Sequence, residues 1–542
     1  MERLLLKAFQ GRVPKLSDKL LAANQATLAT NVDLRSGEIQ PLKALNQAET
    51  TYDADTLSAY PIDTEMFSST SDCDFVEHDV SGTPVLIVSD GAAYPKQYTD
   101  ALYPSDHRRL GVVAPTETMT ITFNTIGGIS STEIGATVSY CYTYITGWGE
   151  ESAPSPATAA VDVQENQYIS LSNIETPTAA NKNNVTAIRI YRLNTGLTGA
   201  KYQYLDEIDD QETTYDDYDE GVGLNEVEDD TLQSEDWDEP PSDLAGICKY
   251  ANGMLAGFSG NSLYLCEPYI VYAWPDEYVI DFDSDIVGIK PYNNSIVVCT
   301  ESETYVVTGT SPENMIPIPT NVDQVCVAKR SMIETQIGVI YASPDGLVLV
   351  DSSSASLITP DLITKEAWQA LTPANLISFW YDNMYVGFWS GTDTGFMFID
   401  DTWIDLDLGS SGTVEGGYID KSTDKLHLIM DRTTYAYLES FNDHATNYLA
   451  YTWQSKIFDF DFPSSFSCMK LKGTMTGNVT VTVYGDGGSV SAQSIADQLM
   501  HRLPGASRYH DFYVKVASAA GTTKRTIESM LFAASPEMLR MG

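Results

Sequence analysis

The sequence predicts a mainly β protein: a propeller-like body, an inserted fibronectin-like β-sandwich and a C-terminal β-sandwich. Three observations support this. Short runs of alternating apolar and polar residues recur along the chain, and Gly, Asn and Asp turns separate them. Tyrosine, which suits strands, occurs 32 times against 17 phenylalanines. Glycine (37) and proline (24) supply the turns, and no βαβ pattern occurs.

Residues 1–45 are predicted to form an arm with one helix. Ser17 and Asp18 offer an N-cap, and apolar residues follow at mixed helical spacing. These residues are Leu20, Leu21, Ala23, Ala26, Leu28 and Ala29. Residues 31–45 then predict two short strands joined at Ser36-Gly37.

A repeated unit of strand, polar turn, strand, polar turn and strand predicts the propeller-like body. It first occurs at 73–98, within the part assigned to 46–112, and returns through 241–449. The first turns of the later units lie near Asn252, Asn293, Pro344, Asp382 and Thr423. Their spacing of about 40 residues is typical of a four-stranded propeller blade. A series of unrelated hairpins remains the alternative.

An insertion at 113–240 separates the two parts of the body. Alternation through Val138, Tyr140, Tyr142 and Tyr144, and a hairpin around 194–196, predict the inserted sandwich. Residues 202–248 contain many acids and no Lys or Arg, so we expect exposed loops and a strand edge there.

The last region, 450–542, is predicted to be the C-terminal sandwich. Alternating strands recur through it, and Asp486-Gly487-Gly488 provides a turn between two of them. A short helix at 494–501 is a further expectation.

The charge is strongly unbalanced, with 75 Asp and Glu against 31 Lys and Arg and a net charge of −44. Such a surface repels phosphate, which argues against tight sequence-independent DNA binding but suits DNA that slides past. Improved solubility is an equally weighted explanation of the charge. The candidate DNA-repelling loops contain Asp209, Asp210, Asp216, Asp217, Asp219, Glu220, Asp229 and Asp230.

Sequence motifs for catalysis, metal binding and cofactor binding do not emerge, so we assign no catalytic, metal or cofactor residues and expect no enzyme. The six histidines lack metal-ligand spacing, and neither a Gly-x-Ser-x-Gly elbow nor a phosphate-binding loop occurs. Carboxylate pairs are uninformative in so acidic a chain. Calcium could bind at 206–220 or 279–285, but solvated acidic loops are favoured.

Cysteine usage and hydropathy predict a protein made in the cytoplasm. The seven cysteines are scattered and several lie in apolar strand-like runs, which is typical of reduced, buried thiols. We also expect neither a signal peptide nor a membrane span.

Several phrases together resemble the tail nozzle or tail tubular proteins of short-tailed bacteriophages. These are FQGRVPKLSDKLLAANQATLATNVDLRSGEIQPL, RRLGVVAPT, YCYTYITGWGEESAPSPAT, AIRIYRLNTG, YDDYDEG, WDEPPSDLAGI and WQSKIF. The resemblance implies a virion structural protein that forms a ring, commonly a homohexamer, in the tail below the portal and adaptor. Tail fibres or tip proteins would be further partners, and genomic DNA would leave through the ring without tight binding. A host-surface or glycan-binding tail module is the alternative, and a propeller glycosidase is a third hypothesis.

Overall fold

The computed structural model describes residues 3–178, 184–196, 199–219, 223–228, 230–352, 354–399, 401–409, 412–474, 477–504 and 508–539. The chain divides into two compact units. One comprises 1–60, 68–72 and 319–542, and the other comprises 61–67 and 73–318. The chain is mainly β, which confirms the predicted fold class.

Among the described residues, five four-stranded sheets and four consecutive strands of a ten-stranded sheet have the meander order of propeller blades, and we number these six units blades 1–6. Blade 1 comprises Asp74–Val80, Thr83–Ser89, Lys96–Tyr98 and Arg108–Arg109. Blade 2 comprises Ala245–Lys249, Leu255–Ser259, Ser262–Leu265 and Ile280–Asp281. Blade 3 comprises Ile286–Tyr292, Ser295–Thr300, Thr304–Thr308 and Ile316–Pro319. Blade 4 comprises Ile333–Thr335, Gly338–Ser343, Gly346–Val350 and Ala355–Leu357. Blade 5 comprises Leu376–Tyr381, Met384–Trp389, Thr394–Ile399 and Thr402–Asp407. Blade 6 comprises Thr413–Asp420, Lys425–Asp431, Ala436–Ser440 and Asn46–Tyr52.

Hairpin turns lie at the positions that the sequence predicted, but Pro344 belongs to the second turn of blade 4, between Gly338–Ser343 and Gly346–Val350, and not to the first. Ser81 and Gly82 both have positive φ, which is the geometry of a tight turn between two twisted strands. Asn252, Asn293 and Asp382 also have positive φ, a conformation that Asn and Asp tolerate. The turn chemistry therefore sets the strand boundaries of the blades.

Blade 6 obtains its outer strand from far away in the sequence. Asn46–Tyr52 pairs antiparallel with Ala436–Ser440, and the register joins Ala436 to Tyr52. Residues 46–48, 50 and 51 are exposed, so backbone hydrogen bonds hold this polar strand rather than burial. The sequence did not predict this pairing.

The inserted sandwich contains three small antiparallel sheets. They comprise Thr120–Thr125 with Gln167–Ser172 and Thr214–Asp217; Ile134–Val138 with Val161–Gln164; and Tyr140–Thr146 with Val185–Gly196 and Gly199–Asp209. The pairing of Gly196 with Gly199 confirms the hairpin that the sequence predicted near 194–196. Its core includes Ile169, Leu171, Ile188 and Ile190, all buried.

The terminal sandwich includes strands from both ends of the chain. Its first sheet comprises Arg3–Lys7, Ser529–Ala533, Cys468–Lys472 and Met500–Arg502. Its second comprises Ala26–Thr30, Tyr451–Ser455, Tyr509–Ser518, Val479–Gly485 and Gly488–Ile495, with Phe458–Ser464 beside Tyr509–Ser518. Ala26–Thr30 also joins blade 5 through the parallel pair Thr30 and Asp405.

Two predicted helices were wrong. Residues 14–25 form turns, and Ala26 and Ala29 are buried in a strand instead, because small side chains pack closely between sheet neighbours. At 494–501 the strand ends at Ile495, and Asp497 accepts a hydrogen bond from the backbone of Leu499 before the next strand starts at Met500. This local turn competes with helix formation.

The remaining elements are short. Val32–Asp33 pairs with Gln40–Pro41 around Gly37 (φ +74°), as predicted, and Ser58–Ile62 forms a hairpin with Glu65–Ser69. The α-helix Lys365–Ala370 is capped by Thr364. Single 3₁₀ turns occupy Ala251–Gly253, Asp276–Tyr278, Pro312–Asn314, Lys329–Ser331 and Pro373–Asn375. Across the described residues, no helix is long and apolar enough to cross a membrane.

Candidate functional site: the acidic inserted sandwich

Negative charge is concentrated in the inserted sandwich. Residues 113–240 contain 24 Asp and Glu and four Lys and Arg, whereas the whole chain contains 75 and 31. This segment therefore contributes almost half of the net charge from less than a quarter of the chain. The candidate acidic loops all belong to it.

The framework that carries these acids is a row of buried tyrosines on Tyr140–Thr146. Tyr142 donates its hydroxyl proton to the Glu117 carbonyl (3.0 Å), and Tyr144 donates to the Glu175 carbonyl (2.9 Å). Burial raises the pKa of Tyr142 to about 12, so its hydroxyl stays a donor at neutral pH. Because each buried hydroxyl has a partner, the sheet can bury three large rings without leaving polar atoms unpaired.

Four of the predicted acids lie at the surface. Asp209, Asp216, Asp219 and Asp230 are exposed, and Asp210 is half-buried. They lie on or beside the two edge strands Gly199–Asp209 and Thr214–Asp217, as the sequence predicted. Glu220 and Asp229 lie outside the described residues.

Asp217 differs from this expectation because it is completely buried. Arg192 donates to its Oδ2 (2.6 Å), Tyr140 donates to the same oxygen (2.7 Å), and the Asn225 backbone donates to Oδ1 (2.9 Å). Arg192 also donates to the Asn225 carbonyl (2.8 Å). Asp217 is thus a structural ion-pair partner rather than a surface charge, since a buried carboxylate needs a cation and donors around it.

A second ion pair, which the sequence did not predict, includes the buried Glu151. Its Oε1 accepts hydrogen bonds from Thr143 and Tyr191 (2.7 Å each), and its Oε2 lies 3.3 Å from Arg189. Arg189 contacts Glu207 as well (2.9 Å). Two of the four cations therefore face buried acids. Of the exposed acids that the structure describes in the sandwich, only Glu207 takes part in an ion pair.

Backbone pairing brings further acids to the same edge. The segment around 228–232 runs beside Gly199–Asp209: Tyr204 donates to the Asp230 carbonyl (2.8 Å), and Glu228 donates to the Tyr204 carbonyl (3.0 Å). Glu228 and Asp230 are exposed. The edge strand, its neighbouring segment and the loop after Asp209 together form a surface that is rich in carboxylates.

The chemistry of this surface is electrostatic. Within the described ranges, no group of three or more His, Cys, Asp and Glu side chains is arranged to hold a metal ion. Carboxylates without nearby cations repel other anions over about 8 Å at physiological salt. The arrangement can therefore keep a polyanion at a distance.

Comparison with known proteins identifies no family. No family model matches the chain, and no curated protein matches it. Solved structures with some likeness include an exo-β-1,3-galactanase from Phanerochaete chrysosporium, 10% identical over 53% of this chain and 95% of that chain, with a TM-score of 0.20. PorZ of Porphyromonas gingivalis, a surface component of the type-IX secretion system, is 10% identical over 94% of this chain and 81% of that chain, with a TM-score of 0.27. The designed protein Ika8 is 7% identical over 74% and 99%, with a TM-score of 0.27. Scores this low carry no argument about function.

Proposed function

We propose that this chain is a structural component of a bacteriophage tail, a ring-forming conduit below the portal and adaptor through which the genome passes. The observation that carries the proposal is the exposed, cation-poor acidic edge of the inserted sandwich. The sequence resemblance to tail nozzle proteins points in the same direction, and it is the source of the expected six-fold ring.

Electrostatics explain how such an edge would help a conduit. Duplex DNA carries one negative charge per about 1.7 Å of its axis, so a carboxylate-rich wall repels it from every side. Repulsion keeps the DNA centred and prevents the phosphate contacts that would slow its movement. A wall of lysines would instead release counterions and hold the DNA tightly.

The experiment compares two fourfold variants in assembled particles. Asp209→Asn, Asp216→Asn, Asp219→Asn and Asp230→Asn together remove four exposed charges of the sandwich, and genome ejection should become slower. The control replaces four exposed acids elsewhere with their amides, Asp283→Asn, Glu301→Gln, Glu366→Gln and Glu528→Gln. It changes the net charge equally and should leave the ejection rate unchanged. Equal rates for both variants and the wild type would contradict the proposed role of the sandwich.

A further inference from the structure

The outer edge of blade 1 combines aromatic rings with positive charge. Tyr98 lies 5.1 Å from Phe67, 5.8 Å from Tyr103 and 5.8 Å from His107, measured between ring centroids. Tyr94 continues the row, 6.1 Å from His107. The three tyrosines and the histidine are half-buried, so part of each ring faces solvent.

Two cations stand directly opposite each other within this edge. The register of the two outermost strands pairs Lys96 with Arg109, so both side chains leave the same face of the sheet as Tyr98. Like charges in directly opposed positions destabilise a strand pair. This pairing is unexpected in a chain that has more than twice as many acids as cations.

Among the described residues, only one of these two cations has a carboxylate partner. Arg109 has one carboxylate partner, Glu239 at 3.3 Å, and its Nε is buried without a hydrogen-bond partner. The Asp100 carboxylate accepts hydrogen bonds from Thr64 and Glu65. Lys96 is a half-buried residue, and its ammonium has no hydrogen bond or ion pair within the described part of the chain.

We propose that this edge, defined by Lys96, Arg109, Tyr94, Tyr98 and His107, binds a sugar that carries a single acidic group. A pyranose ring has apolar C–H faces that fit against tyrosine rings, and its polar edge suits the surrounding donors. The carboxylate or phosphate of the sugar would lie between the two cations and relieve their repulsion. One isolated acidic group is repelled far less than DNA by the rest of this acidic chain. The site is independent of the proposed conduit role.

Binding is measured by calorimetry on the full-length chain with three probes. These are the monosaccharide methyl galacturonide, which has one carboxylate, its neutral methyl ester and mannose 6-phosphate. We expect saturable binding of at least one acidic sugar and none of the ester. The two acidic probes distinguish a sugar carboxylate from a sugar phosphate. Lys96→Gln should weaken binding by about tenfold or more, as expected when a charge-assisted hydrogen bond is lost.

Two variants control for folding and for general charge. Lys96→Arg keeps the cation and should retain binding, whereas Lys290→Gln removes another half-buried strand lysine of the same compact unit and should have no effect. The proposal is overturned if neither acidic sugar binds, if the ester binds equally well, or if Lys96→Gln binds like the wild type. Binding of duplex DNA that Lys96→Gln abolishes would also overturn it, because the site would then recognise a nucleic-acid backbone. None of these results bears on ring formation, which tests the conduit role separately.

Discussion

Arg192 and Asp217 form an ion pair in the interior of the inserted sandwich, with 2.6 Å between Nη1 and Oδ2. The Asp217 side chain has no exposed surface, and the Arg192 side chain is 9% exposed. Two such charges stabilise a fold only as a pair, because either one alone would remain buried without compensation.

Breaking this pair should therefore destabilise the protein strongly. Asp217→Asn keeps the shape of the side chain but leaves Arg192 without its anion, and we expect a loss of about 3–5 kcal/mol in the free energy of unfolding. Urea titration measures it. The neighbouring Asp216→Asn is the control, since an exposed site usually changes stability by no more than about 0.5 kcal/mol. Similar losses for both variants would show that Asp217 behaves as a surface acid.

Glu150 should make the stability of the protein depend on pH. Burial raises the pKa of its carboxyl above the ordinary 4.5, against hydrogen bonds from Gln97 and Thr146 that lower it. A raised pKa in the folded state means that folding favours the protonated form of Glu150. The contribution of Glu150 to the stability of the folded protein is therefore complete below about pH 4.5, and it is lost as the pH rises through the folded-state pKa. The Glu150→Gln side chain cannot ionise. As the pH rises through this range, we expect the melting temperature of the variant to fall less than that of the wild type.

The control for this pH effect is Glu133→Gln, a substitution at an exposed acid of the same sandwich. Its melting temperature should follow the wild type at every pH. If Glu150→Gln also follows the wild type, Glu150 ionises normally and its burial has no consequence for stability.

At two glycines with positive φ, substitution by alanine should destabilise the protein to different degrees. Gly82 (φ +84°) has open space where a Cβ would lie, so Gly82→Ala should cost about 1 kcal/mol of unfolding free energy from backbone strain alone. At Gly246 (φ +67°) a Cβ would approach Phe258 Cε1 to 2.4 Å, and strain plus overpacking should cost more than about 2 kcal/mol. Chemical denaturation of both variants gives the comparison, and an equal cost would mean that Phe258 moves freely.

The first strand should behave as part of the terminal sandwich. Leu6 is 1% exposed and Leu5 is 42% exposed, although they are neighbours on Arg3–Lys7. Leu6→Ala should cost about 2–5 kcal/mol, and Leu5→Ala much less, because only the first leaves a cavity. Differential scanning calorimetry measures the loss of stability of each variant. If both variants melt like the wild type, Arg3–Lys7 contributes nothing to the core.

The sequence predicted most hairpins because their signals are local. Period-two alternation and the turn residues Ser81-Gly82, Asn252 and Asn293 lie within a few residues of the strands that they join. Asn46–Tyr52 escaped prediction because it has no apolar face and its partner, Ala436–Ser440, lies far along the chain. Ala26–Thr30 was misread because alanine favours helices in isolation, whereas here the packing of the sheet determines the conformation.

The candidate sites were predicted only in part for a related reason. Composition alone indicated an acidic surface at Asp209, Asp216, Asp219 and Asp230. It could not separate Asp217 from its neighbour Asp216, because the difference depends on which face of one strand meets Arg192. Likewise, the sequence could not predict that Lys96 and Arg109 lie opposite each other. This depends on the register of their strands, and the intervening loop gives no signal for that register.

The central claim, a ring-forming conduit, is tested most directly by electron microscopy of the purified full-length chain, alone and with the portal and adaptor proteins proposed as its partners. We expect closed rings, six-fold by the sequence resemblance, with a central channel wide enough for duplex DNA and with the exposed acids of the inserted sandwich facing that channel. A chain that stays monomeric at high concentration, even with those proteins, would contradict the proposed conduit.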